Sequence, residues 1–207
     1  MAAHTLAGNI VFTTSIAESR EDSISLELND TADYRAYSDG SGQEDDIGAS
    51  AILYKKGQAR PVASLQAFLG PKSKHNTYEA EVIGAIMALW VIRSKPETIG
   101  KRISLYIDNQ AVIMALTGQR PSAGQHLIKA LRTAANGLPA NLNIAWISSH
   151  SDQQQFCSNS NRAIHKDSYD QTLFKQCSNI PRHNFECFHY ASVRTFLRCV
   201  QTALIVI

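Results

Sequence analysis

The chain has 207 residues, 44% of them hydrophobic and 18% charged, the composition of an ordinary globular domain with a real core and some extra length at its ends. A formal net charge of only +2 excludes an overall basic field, so any nucleic-acid surface must be a local patch. No apolar run is long enough to span a bilayer, the closing run 203–207 included, and the N-terminus lacks a basic stretch leading into an apolar one. The expectation is therefore an intracellular protein, cytoplasmic or nuclear, that does not engage a membrane.

Residues 1–33 mix short apolar runs with Glu18, Glu21, Asp22 and Glu27 and show no clear period; they read as a poorly defined leader. Residues 34–38 are β-prone and run into Asp39-Gly40-Ser41-Gly42, a turn sequence. Residues 47–54 make a second apolar strand, with Gly57 in the turn after it. Residues 61–69 make a third, ended by Gly70-Pro71. Three antiparallel strands are expected. The strongest helical signal follows, over 77–93, where Val82, Ile86 and Leu89 fall at i, i+4 and i+7. Asn76 with Glu79 three residues on resembles a capping box, and Pro96 closes the element. Ile103, Leu105 and Ile107 then alternate with Ser104, Tyr106 and Asp108, which is a strand. Residues 109–116 read as a short helix ending near Gly118, 125–135 as another ended by Gly137 and Pro139, and 142–147 as a last strand. The order β-β-β-α-β-α-α-β predicts an α/β fold: a mixed sheet, three antiparallel strands then parallel ones, with flanking helices.

The chain changes character near residue 150. All four cysteines (Cys157, Cys177, Cys187, Cys199) lie beyond it, and all 11 glycines lie before residue 138. With its Gln153-Gln154-Gln155 run and no sustained period, 151–207 reads as a divergent tail on which no structure is imposed. The expected organisation is a leader over 1–33, a domain over 34–150 and this tail.

Three carboxylates occupy similar places. Asp39 ends the first strand, Asp108 ends the fourth, and Glu81 lies about one turn into the main helix, beside its apolar stripe. Strands one and four can lie side by side with the helix across one face, which would bring the three together. Acidic groups so held repel one another and resist ionising unless a cation neutralises them. Oxygen ligands favour hard ions such as Mg²⁺ or Mn²⁺, and a pair of such ions can stabilise both the attacking and the leaving oxygen of a phosphodiester. Taken singly, Asp39 before glycine is also a turn residue, Asp108 before a helix is also an N-cap, and Glu81 is also a solvated helix position.

Four segments resemble type 1 ribonuclease H domains, especially those appended to the reverse transcriptases of fungal LINE-like retrotransposons: Tyr37-Ser38-Asp39-Gly40-Ser41, Thr77-Tyr78-Glu79-Ala80-Glu81-Val82, Tyr106-Ile107-Asp108-Asn109-Gln110-Ala111 and Trp146-Ile147-Ser148-Ser149-His150. The resemblance spans residues 34–150. It implies that Asp39, Glu81 and Asp108 bind Mg²⁺ (or Mn²⁺). It implies that His150 assists proton transfer or product release, and that the RNA strand of an RNA–DNA hybrid is cut to a 3′-hydroxyl and a 5′-phosphate. Hybrid shape and 2′-hydroxyl contacts are the expected recognition, with Ser41, Asn76 and Gln110 as polar substrate contacts and no organic cofactor. The oligomeric state is left open.

The pattern departs after the histidine, where a fourth acidic residue about ten positions on is implied. Position 160 is a serine, and Asp167 and Asp170 fit only with a longer loop. A frameshifted or misspliced reading of a decayed element is the simplest explanation of the tail. Cys177, His183, Cys187 and His189 offer a zinc cluster instead, at a spacing that matches no common finger. A second function class is a non-catalytic nucleic-acid binder, with Lys55, Lys56, Lys72, Lys74, Lys101 and Arg102 on phosphates. A two-domain actin-like phosphotransferase needs a longer chain, and an integrase of related fold is disfavoured by Glu81 lying between the two aspartates.

Overall fold

A computed structural model of the chain describes residues 11–43, 45–118 and 124–148. The calls on His150 and on the tail fall outside them. Six strands build one mixed sheet: β1 (Thr13–Ser15), β2 (Tyr34–Gln43), β3 (Asp46–Lys55), β4 (Ala63–Pro71), β5 (Arg102–Ile107) and β6 (Asn141–Trp146), in the spatial order β1-β6-β5-β2-β3-β4. The three consecutive strands β2, β3 and β4 are antiparallel, as expected. β5 runs parallel to β2, and β6 parallel to β5.

Three helices, α2 (Thr77–Arg93), α3 (Gln110–Leu116) and α4 (Gln125–Asn136), share one core with the sheet. α2 begins with the expected capping box: the Glu79 amide donates to Asn76 Oδ1 at 2.9 Å, and the Asn76 amide donates back to Glu79 Oε2 at 3.2 Å. Its sequence suggests a single apolar stripe, yet every residue from Ala80 to Leu89 is buried. The reason is that α2 is covered twice, by β2 and β3 on one side and by α4 on the other.

Two expectations are corrected. Asp39-Gly40-Ser41-Gly42 is not a turn, because β2 continues to Gln43 and pairs with β3 throughout. Residues 13–28, read as part of a poorly defined leader, form β1, parallel to β6, and a helix α1 (Arg20–Leu28) capped by Ser19. α1 buries polar rather than apolar side chains, which is why no period betrayed it. Its buried residues are Ser23 and Glu27. Ser23 Oγ accepts the Ser148 amide at 3.2 Å, and Glu27 Oε1 accepts the Tyr37 hydroxyl at 2.7 Å. Tyr37 stacks on Tyr106 at 5.2 Å between centroids, and Tyr106 donates to Asp30 Oδ2 at 2.9 Å. The two tyrosines stand two residues before Asp39 and Asp108.

A candidate metal centre of three carboxylates

The pairing of β2 with β5 ends at Ser38 and Ile107. Asp39 and Asp108 are the next residues of each chain, side by side where the two strands part. Glu81 reaches them from the second turn of α2. Each of the three offers a carboxylate oxygen, and these oxygens lie within 4.8 Å of one another.

Glycines set how close the helix comes. A Cβ on Gly40 would lie 2.2 Å from the Glu81 backbone nitrogen, so only glycine lets α2 rest on β2 there. Gly40 is thus kept for close approach and not for a turn. One turn further on, a Cβ on Gly84 would meet the carbonyl oxygens of Asp39 at 3.1 Å and Ser50 at 3.3 Å. Gly84 therefore fixes the depth of α2 over the strand that carries Asp39. On the far side, the Trp146 indole donates to the Asp108 carbonyl at 3.0 Å and the Ile147 amide to the Ile107 carbonyl at 3.1 Å. β6 thereby holds the end of β5. Gly84 and Trp146 were not singled out for these roles from sequence. The available signal for Trp146 was that a half-buried indole N–H requires an acceptor.

Asp108 is not the N-cap of α3. Asn109 is, accepting the Ala111 amide at 3.0 Å, which leaves the Asp108 carboxylate to the cluster. Glu81 is buried, not solvated. Burial drives its carboxyl well above the usual range, with the charges of Asp108 and Asp39 adding to this and a hydrogen bond shared with Asp108 reinforcing it; the Gly40 amide opposes the shift. Asp108 is pushed up to about 6, by burial first and then by Asp39. Glu81 Oε2 and Asp108 Oδ1 are buried without a hydrogen-bond partner among the described residues. Buried acceptors in that state are costly, and a cation held between them would satisfy both at once.

The other expected contacts are dispersed around the cluster. Ser41 lies two residues along β2 from Asp39, its Oγ buried and also without a partner among the described residues. Gln110 is the first residue of α3, half-buried. Asn76 is exposed, and its oxygen is committed to the cap of α2.

No known family profile matches the sequence, and no curated protein does. Solved structures match the fold. One is the N-terminal RNase H domain of a Mycobacterium tuberculosis protein (TM-score 0.53, 14% identity, 67% of this chain and 99% of that one). A second is RNase H1 from Halobacterium salinarum (TM-score 0.51, 19% identity, 65% and 98%). A third is LC11-RNase H1, solved in complex with an RNA/DNA hybrid (TM-score 0.52, 12% identity, 63% and 99%). The chain has the ribonuclease H-like fold.

Proposed function

We propose that this chain of ribonuclease H-like fold is a metal-dependent endonuclease that hydrolyses the RNA strand of RNA–DNA hybrids. The observation that carries the reading is the cluster of Asp39, Glu81 and Asp108, with two buried carboxylate oxygens that have no hydrogen-bond partner among the described residues. An all-carboxylate donor set suits a hard divalent cation, Mg²⁺ first and Mn²⁺ as a substitute. A divalent ion held there supplies charge neutralisation and Lewis acidity at a phosphodiester. The residues supply the rest. Gly40 and Gly84 seat Glu81 against β2, Trp146 fixes the main chain of Asp108, and the three carboxylates converge without rearrangement.

Ser41 and Gln110 flank the cluster and are the proposed polar contacts to the hybrid, with Asn76 at the outer margin. His150, on the resemblance alone, is the proposed proton-transfer or product-release group. The products are an RNA 3′-hydroxyl and a 5′-phosphate, water having added across the P–O3′ bond. A retrotransposon reverse transcriptase is the proposed origin of the domain.

One observation favours a second reading, a catalytically impaired hybrid-binding remnant: Ser160 stands where the resemblance leads to a fourth carboxylate. Incubation of an end-labelled RNA–DNA hybrid with the full chain and Mg²⁺ or Mn²⁺, beside an Asp108→Asn control, separates the two. Metal-dependent cuts confined to the RNA strand and absent from the control are expected. Salt-sensitive binding without cutting selects the remnant.

A further inference from the structure

The fold divides the cations that the sequence offers for phosphate contact into two groups. Lys72 and Lys74 follow β4 at the end of the sheet that carries the carboxylates, where Pro71 pairs with Asp46 and Asp46 with Gln43 at the close of β2. Lys55, Lys56, Lys101 and Arg102 stand at the opposite end, where Tyr34 pairs with Lys55 on one side and Ile103 on the other. Asp39 pairs with Ser50, five residues along β3 from Lys55, so this second group lies roughly 17 Å from the carboxylates along the strands. Main-chain bonds fix it in a row: the Lys56 amide donates to the Asp33 carbonyl at 2.9 Å, and the Asp33 amide to the Arg102 carbonyl at 2.9 Å. Lys55-Lys56, before Gly57, and Lys101-Arg102, after Gly100, therefore flank one strand, two strand spacings or roughly 10 Å apart. Both glycines have positive φ, 78° and 70°, and a Cβ on either would meet nothing within 4 Å, so both turns are open to solvent. Lys55, Lys56, Lys101 and Arg60, in the loop from β3 to β4, are exposed, and their side chains make no hydrogen bond or ion pair among the described residues. Acids at this end do not match them. Asp30 pairs with Arg35 and Asp33 with Arg102, which leaves Glu97, whose charge reaches Tyr34. Four cations against that one acid is a larger excess than the +2 of the whole chain.

We propose that this end of the sheet is a second nucleic-acid site, which holds the phosphate backbone of a duplex without cutting it. The site shares no residue with the carboxylate cluster and does not depend on the hydrolase reading above. Charge density selects the partner. A duplex carries one phosphate charge per about 1.7 Å of its axis, so the roughly 10 Å between the two dibasic steps corresponds to about six phosphates. A single strand offers half that density over the same span. Stacking, on which single-strand binders rely, is also lacking: no exposed aromatic side chain stands at this end among the described residues. Lysines on long stems in open turns act as point charges, which suits contact with a backbone and not the reading of bases. Arg102 adds a more rigid contact. Its guanidinium is held by Thr31 and Asp33, yet the side chain remains 58% exposed, so it meets a phosphate with little loss of rotamer freedom. With substrate at the carboxylates and a second duplex segment at this end, the chain bridges two segments of nucleic acid.

Fluorescence anisotropy of the full chain in chelator, with a labelled DNA duplex of about 20 base pairs and a salt titration, tests this. The triple variant Lys55→Gln, Lys56→Gln, Lys101→Gln is expected to weaken duplex binding at least about tenfold at low salt. It should also flatten the slope of log affinity against log salt by about 3, close to one for each lost phosphate contact, with the thermal midpoint unchanged. Arginine at the same three positions is expected to restore both affinity and slope. A parent that binds no duplex, or a glutamine variant whose slope matches the parent's, overturns the site. Equal affinity for the single strand of the same sequence, or for poly-glutamate, overturns its assignment to a duplex. Failure of the parent to cut a hybrid overturns the hydrolase reading alone, because none of these measurements uses the carboxylates.

Discussion

Replacing Asp108 by asparagine should stabilise the metal-free protein at alkaline pH while abolishing its response to metal. Two unit charges no more than 4.8 Å apart, as in the cluster, repel by about 3 kcal/mol or more at an effective dielectric of about 20. Burial first, and then that repulsion from Asp39, raise the pKa of Asp108 from 3.8 to about 6 on folding. The native state therefore binds the proton more tightly than the unfolded chain. Its stability falls as pH rises from about 4 to about 6 and stays low above. A shift of that size corresponds to roughly 2 to 3 kcal/mol. Asparagine carries no charge, and its amide can donate to Glu81. At pH 8 in chelator the variant should melt about 4 to 8 °C above the parent, taking about 2 kcal/mol and the usual conversion for a chain of this size. At pH 4, where Asp108 is protonated, the two should coincide. Added Mg²⁺ at a hundredfold excess over its dissociation constant should raise the parent by about 2.7 kcal/mol and leave the variant unmoved. Differential scanning fluorimetry across pH, with and without Mg²⁺, reads all three. A variant that melts at or below the parent at pH 8 in chelator would refute the idea that the carboxylates are held in mutual repulsion for a cation.

Three further outcomes follow from the packing. Gly84→Ala drives a methyl against the Asp39 carbonyl; overpacking of this kind costs about 1 to 3 kcal/mol, and the displaced Glu81 should lower Mg²⁺-induced stabilisation more than it lowers the midpoint of urea unfolding in chelator. Trp146→Phe keeps the apolar bulk but removes the indole donor to the Asp108 carbonyl. A loss of about 1 kcal/mol and a fall in hybrid cleavage with unchanged KM are expected in steady-state kinetics. Tyr37→Phe leaves the buried Glu27 carboxylate without its 2.7 Å donor and should destabilise the chain by about 1 to 3 kcal/mol in denaturant titration; an unchanged midpoint would show that α1 does not depend on this bond.

Periodicity and punctuation were enough to read the three antiparallel strands, the long helix with its Asn76 cap, and the alternation that ends at Asp108. These depend on local rules, the period of 2 or 3.6 and the chemistry of a cap, which a linear sequence displays directly. The same rules misled at Asp39-Gly40, where a turn signal belongs to a strand: what demands Gly40 is a helix backbone that arrives 40 residues later in the chain. They were silent over α1, because a helix that docks through Ser23 and Glu27 shows no apolar stripe, and its partners Tyr37 and Ser148 are known only once the sheet is assembled. That Asp39, Glu81 and Asp108 share the same chemistry was visible in the sequence. That they lie within 4.8 Å, with two oxygens sealed from every protein donor among the described residues, was decided by the parting of β2 from β5 and by the depth to which two glycines let α2 descend. Distance between residues remote in sequence is a property of packing alone.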